Sequence, residues 1–348
     1  MKTIIEDMTE KISPEGIRLA GEILKNGGLV AFPTETVYGL GANALDEEAA
    51  AKIYAAKGRP SDNPLIIHIA RIEDLEKIAE RVPRQALRLA EAFWPGPLTM
   101  IFQKKEIVPY GTTGGLDTVA VRMPDHKIAR EVILCGGGYI AAPSANTSGR
   151  PSPTTAAHVA EDLSGRIDMI IDGGSVKIGL ESTIVDLSGE TPVILRPGYI
   201  NQEMLQEVIG SVEVDKGLLA EDEKIRPKAP GMKYKHYAPK ADMVIIEGKP
   251  EAVVNKINAQ IAEGEKQGKK IGILVSDETA ARYHGGIVKS IGSIYDELTI
   301  SQHLYGILRE FDELAVTEIY SEAFETPKMG QAIMNRLIKA AGHQIWEV

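Results

Sequence analysis

The segment 224–240, KIRPKAPGMKYKHYAPK, constrains the chain more than any other stretch, with six Lys or Arg, three Pro and no acid. Its prolines break helix and strand pairing and its charges resist burial, so it reads as a linker that no single core runs through. At 348 residues the chain also exceeds the roughly 100–200 that one domain takes. The linker divides it unequally. We expect a larger domain over 1–205, a connecting segment over 206–240 whose part 224–240 is the basic linker, and a smaller domain over 241–348.

Beyond the linker the pattern is regular. Strands are expected at 242–248, 269–276, 286–292 and 318–324, alternating with helical stretches at 251–267, 277–283, 296–314 and 329–341. Short apolar strands between amphipathic helices imply right-handed crossovers and a mainly parallel sheet, so the smaller domain is expected to be Rossmann-like. It lacks G-x-G-x-x-G after its first strand, where IIEGKPEA stands, and nothing supports dinucleotide binding there.

The larger domain is less repetitive. Its strand candidates are 28–33, 64–70, 98–103, 118–124, 139–145, 168–174, 182–187 and 193–198; its helices fit 14–25, 47–57, 72–78, 84–92, 126–134 and 154–163. Strands and helices do not alternate strictly, which favours a mixed, twisted α/β sheet over a doubly wound one.

Composition narrows the function classes. With 43% apolar and 25% charged residues the chain has a core to bury. A single cysteine, Cys135, excludes an internal disulfide or a zinc site built from several thiolates. The start shows no signal-peptide core, and no apolar run approaches the roughly 18 residues of a membrane span, so a cytoplasmic address without membrane is expected. A net charge of −10 lacks the footprint of a dedicated nucleic-acid binder, and any RNA contact would be local and weak.

The common P-loop, zinc-protease and G-x-S-x-G motifs are absent. Instead, polar clusters follow short apolar strands, where α/β sheets place ligands. PTETVYGLG (33–41) offers Thr34, Thr36 and a carboxylate, either as a capped turn or as ligand groups. KGRPSDNPLIIHI (57–69) brings Lys57, Arg59, Ser61 and Asn63 before a strand bearing His68. Its two cations suit phosphate, or a solvated helix end. APSANTSGRPSPT (142–154) is rich in donors, as surface loops often are. Arg122 and Arg196 each close an apolar strand, as rim residues or as two walls of an anion pocket; Ser182 and Thr183 add hydroxyls. Trp94 reads as core and the remaining histidines as packing or surface groups.

Taken in order, PTETVYGLG, K-x-R with S-D-N-P, WPGPLT, TVAVRMP, PSAN-x-SG, ESTIVDL and LRPG resemble the YrdC-type L-threonylcarbamoyladenylate synthase family. The linker APGMKYKHYAP and the trailing domain resemble its long, two-domain form. The resemblance implies a YrdC-type catalytic domain and a nucleotidyltransferase that joins L-threonine, bicarbonate or CO2, and ATP into threonylcarbamoyl-AMP with release of pyrophosphate. That adenylate would pass to a downstream transferase machinery that modifies tRNA next to the anticodon. The resemblance also implies Mg2+ on the ATP phosphates, with no protein ligand identified and no organic cofactor. Thr36, His68, Arg122 and Ser182 would hold threonine, with Ala142 contributing backbone. Lys57, Arg59, Asn63, Thr118, Ser144, Ser152 and Arg196 would face ATP, Lys57 and Arg59 closest to the reacting groups, and Tyr234 and His236 on the linker would close over the nucleotide. Two other classes stand beside this: a non-catalytic double-stranded RNA-binding or ribosome-maturation module, and a hydrogenase-type carbamoyl-transfer factor, which would need zinc-finger cysteines that the chain lacks.

Overall fold

The computed structural model describes residues 2–218 and 236–348; most of the linker lies outside them. The described chain falls into two compact units. One is built from the residues up to Ser148, Ser152–Lys177 and the stretch from Glu181 to the linker; the other from Gly149–Pro151, Ile178–Leu180 and the chain after the linker.

The first unit holds an eleven-stranded sheet. Its strands are β1 (Ile4–Asp7), β2 (Val30–Phe32), β3 (Gly39–Asn43), β4 (Ile66–His68), β5 (Leu98–Gln103), β6 (Thr118–Arg122), β7 (Ile140–Ala141), β8 (Met169–Asp172), β9 (Thr183–Asp186), β10 (Val193–Arg196) and β11 (Glu213–Val214). Their spatial order is β1-β8-β2-β3-β7-β4-β6-β5-β9-β10-β11, with parallel and antiparallel pairs mixed. Successive side chains point to opposite faces, and much of this sheet is covered on both. Ala31 and Ile170 join a core with the helices Glu47–Lys57 and Arg84–Phe93, while Val30, Phe32, Met169 and Ile171 pack with Pro14–Lys25 and Lys127–Cys135.

Three strands depart from the sequence expectation. β1 is an edge strand with its isoleucines largely exposed, so it carries no burial pattern. β3 begins inside the polar stretch 33–41 and runs past it: the chain turns at 33–38 and returns antiparallel to β2, pairing Val30 with Gly41 and Phe32 with Gly39. β11 pairs with β10 through Val193 and Ile194, so the first sheet continues past residue 205, where the domain edge was expected.

The second unit carries a five-stranded, wholly parallel sheet of β12 (Asp242–Glu247), β13 (Ile271–Val275), β14 (Ile287–Ser290), β15 (Glu318–Glu322) and β16 (Ile345–Glu347), ordered β14-β13-β15-β12-β16. The helix Pro250–Lys266 buries Val253, Ile257 and Ile261 against Ile246, Ile271 and Ile273. Here too the expectation needs amending. The helix expected over 277–283 is a single 3-10 turn, Ala280–Arg282. Side chains take its backbone groups instead: Asn258 Nδ2 donates to the Arg282 carbonyl at 3.0 Å, and Thr279 Oγ1 to that of Ser276 at 3.3 Å. The terminal strand β16 was not anticipated.

Candidate active site

Alternation along β4, β6, β5 and the strands beyond them sorts one face of the first sheet into an apolar floor with polar groups at its ends. Ile66, Ala120, Ile101, Ile184 and Leu195 form the floor, a small cluster apart from the main cores. Register sets the polar row. His68 lies opposite Arg122, and Arg122 opposite Thr99. The hydroxyls of Thr99 and Ser182 share a hydrogen bond of 2.7 Å. Arg196, at the end of β10, donates through Nη2 to Ser182 Oγ at 3.1 Å and through Nε to the Ser182 carbonyl at 3.0 Å. All five side chains are buried. Neighbouring strands thus carry an imidazole, two guanidinium groups and two hydroxyls side by side.

Their electrostatics are distinctive. Burial, and after it the Arg122 guanidinium, push the His68 imidazole down to about 3, so it is neutral at ordinary pH. Its Nδ1 donates to the Ile66 carbonyl at 3.2 Å, which leaves Nε2 as an acceptor. Arg122 donates through Nε to the Gly96 carbonyl at 3.4 Å, and its Nη2 meets Glu35 Oε1 at 2.7 Å. Glu35 comes from the turn 33–38. In that turn Thr34 Oγ1 donates to the Val37 carbonyl at 2.6 Å and accepts from the amides of Thr36 and Val37, so Thr34 caps the turn. The Thr36 hydroxyl lies 2.8 Å from that of Thr34 and is fully buried.

A second cluster lies toward the opposite ends of β4 and β6. The helix Glu47–Lys57, capped by the Asp46 carboxylate, ends at Gly58, whose φ of 61° turns the chain into Arg59. Lys57 is 1% exposed, so it is no solvated helix end. Its ammonium donates to the carbonyls of Ser144 and Asn146 and to Asn146 Oδ1, tying the serine-rich loop to the helix. Arg59 donates to the carbonyls of Asn63 and Pro64 at 3.3 and 3.1 Å, and Ser144 Oγ lies 2.5 Å from Asn146 Oδ1. Asn63 Oδ1 is buried without a hydrogen-bond partner among the described residues. Thr118 opens β6, partly buried; four residues on, Arg122 stands about 13 Å away along the strand. β7 links the clusters: Ile140 pairs with His68, and the Ala142 amide donates to the Ile66 carbonyl at 2.9 Å.

The structure therefore assembles Thr36, His68, Arg122, Ala142, Ser182 and Arg196 at one end and Lys57, Arg59, Asn63, Ser144 and Thr118 toward the other. Arg196, expected with the ATP group, sits beside Ser182 in the first cluster. Ser152 is fully buried and gives its hydroxyl to Glu181 Oε1 at 2.5 Å, so that group is spent on a carboxylate. His236 belongs to the second unit, its ring 5.6 Å from that of Tyr237. Tyr234 lies outside the described residues. Sequence reasoning offered the Glu35 carboxylate only as one group of the 33–41 cluster, with no task assigned to it, and missed Thr99, which only its position inside WPGPLT pointed to.

Comparison with known proteins also divides the chain in two, at residues 198–200, inside the stretch that the structure gives to the first unit. Residues 22–198 match the Sua5–YciO–YrdC family described as "Telomere recombination", and residues 200–342 the family "Threonylcarbamoyl-AMP synthase, C-terminal domain". The chain is similar to the threonylcarbamoyl-AMP synthase of Pyrococcus abyssi, 49% identical over 346 residues (99% of this chain and 100% of that one). It is equally similar to that of Bacillus subtilis, 49% identical over 342 residues (97% of each). The crystal structure of P. abyssi Sua5 complexed with L-threonine superposes with a TM-score of 0.95 at 49% identity, covering 99% of this chain and 100% of that one. Escherichia coli YciO shares the fold of the first unit at 24% identity and a TM-score of 0.51, over 57% of this chain and 95% of its own.

Proposed function

The chain belongs to the threonylcarbamoyl-AMP synthase family, and from that premise we propose how its residues share the work. It is an enzyme of the nucleotidyltransferase type, acting in tRNA modification. Its substrates in this reading are L-threonine, bicarbonate or CO2, and ATP. The threonine amine captures the one-carbon unit as a carbamate, and a carbamate oxygen then displaces pyrophosphate at the α-phosphorus. The resulting adenylate passes to a downstream transferase.

The polar row on β4, β6, β5, β9 and β10 is the observation that carries this reading. Threonine presents a carboxylate, a hydroxyl and an amine. A neutral imidazole with a free acceptor nitrogen, a guanidinium and a pair of hydroxyls is a matching set, held in place by sheet register rather than by mobile loops. Arg122 takes the carboxylate; among the described residues its Nη1 has no partner, so the fork can still bind. Thr36, His68 and Ser182 surround the remaining groups, and the backbone at Ala142 lies beside them. The apolar floor suits a nucleoside, with Lys57, Arg59, Asn63, Thr118 and Ser144 toward the phosphates. Arg196 and Ser152, both engaged within the protein, support these loops and approach ATP only if those bonds shift.

Mg2+ would ride on the phosphates, since it keeps waters and phosphate oxygens as ligands. Among the described residues no group of three or more His, Cys, Asp or Glu stands together to hold it otherwise. When bound it neutralises phosphate charge as pyrophosphate leaves. Pyrophosphate release measured while threonine, bicarbonate and ATP are withheld in turn tests the whole reading: each omission is expected to stop it. Release that persists without threonine overturns it.

A further inference from the structure

Among the described residues Glu35 is the acidic side chain that pairs with Arg122 of the polar row, and the reading above leaves it without a task. It is 4% exposed. Its Oε1 meets Arg122 Nη2 at 2.7 Å, an ion pair whose angle falls outside a hydrogen bond, and its Oε2 has no partner among the described residues. A buried carboxylate oxygen without a donor is costly, and a site that keeps one has a use for it. The turn that presents it is firmly built, with Thr34 capping it and Thr36 beside it, so Glu35 is held at the row rather than swept past it.

An α-amino acid carries its carboxylate and its ammonium on one carbon, so a pocket that reads both needs a cation and an anion side by side. Arg122 and Glu35 are such a pair. We propose that Glu35 receives the α-ammonium of the substrate amino acid while Arg122 takes its carboxylate, which makes Glu35 a specificity-determining residue of the threonine site. This rests on the reading that the row binds threonine. On binding, the orphan Oε2 gains an N–H donor, and Arg122 exchanges one carboxylate neighbour for two. The amine is thereby fixed at the place where the carbamate must form, and hydroxy acids of the same shape are rejected because they leave the buried carboxylate unpaired.

The test compares L-threonine with 2,3-dihydroxybutanoate of matching configuration, which replaces the ammonium by a hydroxyl and keeps everything else. Calorimetric titration of the full chain is expected to show the hydroxy acid binding roughly 10- to 100-fold more weakly than threonine. Glu35→Gln is expected to weaken threonine by a similar factor, leave the hydroxy acid nearly unchanged and so close the gap. If the unsubstituted protein binds both ligands alike, the ammonium has no charged partner and the proposal fails; this arm does not depend on any variant folding. Equal weakening of both ligands by Glu35→Gln, or a gap that survives it, overturns the proposal too, since Glu35 would then only prop Arg122 or the ammonium would sit elsewhere. Absence of any threonine binding to the unsubstituted protein instead overturns the underlying reading of the site, and the proposal with it.

Discussion

His68 holds a neutral ring in a place that a charged one would disrupt, and that has a measurable consequence. In the unfolded chain its proton binds near the ordinary value of 6.5, in the folded protein only near about 3. Between those values the unfolded state holds more protons, so stability from this residue is complete above about pH 6.5 and is lost as pH falls toward about 3, at up to about 1.4 kcal/mol per pH unit. Unfolding midpoints followed from pH 7 to 5 are expected to fall less steeply for His68→Gln; identical slopes would assign the acid sensitivity to other groups. Lys57 makes a second case. Lys57→Met keeps the stem but strands the carbonyls of Ser144 and Asn146, which costs about 1–3 kcal/mol. Denaturant unfolding should register that loss, and pyrophosphate release should drop with it. Ser182→Ala removes the hydroxyl that Thr99 and Arg196 share. Its KM for threonine is expected to rise roughly tenfold, as loss of a charge-assisted hydrogen bond implies, with the KM for ATP changing much less. Equal rises would make Ser182 a general support of the site.

At the scale of elements, the hairpin of β2 and β3 places the 33–38 turn, and two features of β3 make it possible. Gly39 and Gly41 pair with Phe32 and Val30, and a Cβ on Gly41 would meet Phe32 Cε1 at 2.7 Å and Ile140 Cγ2 at 2.9 Å. Neither atom can move far, since both residues are fully buried. Gly41→Ala is therefore expected to destabilise by about 1–3 kcal/mol through overpacking. Because Glu35 and Thr36 hang from this hairpin, threonine affinity should fall as well, although Gly41 touches no ligand. Thermal unfolding together with threonine titration checks both; an unchanged midpoint would mean that the sheet widens freely at this point.

For the whole molecule the charge balance matters most. The chain carries 49 acidic against 39 basic residues, so it should not hold tRNA by its own field at physiological salt, and adenylate formation should need no tRNA. Filter binding of transfer RNA at about 0.15 M salt, alongside pyrophosphate release with and without it, is expected to show no stable complex and no stimulation. A tight complex would favour the RNA-binding class instead. No described helix is long and apolar enough to cross a membrane.

What could be read from residues in order was whatever depends on neighbours along the chain. Buried strands announce themselves as apolar runs, caps and Pro–Gly punctuation mark helix ends, and polar groups after short strands mark ligand loops, which is why Lys57, Arg59, His68, Arg122 and Ser182 stood out. Elements without such a signal went unread: exposed β1, glycine-rich β3, two-residue β11 and terminal β16 bury too little in a regular period. The second unit's 3-10 turn was misread because Asn258, from a helix elsewhere in the chain, competes for its backbone. The site's chemistry depended most on tertiary structure. Thr99 and Ser182 are 83 positions apart and bond only because β5 and β9 run parallel in register. The Arg122–Glu35 pair and the engagement of Ser152 by Glu181 have the same origin. Residue type fixes what a side chain can donate or accept; sheet register and burial decide which partner it meets and which charge it keeps.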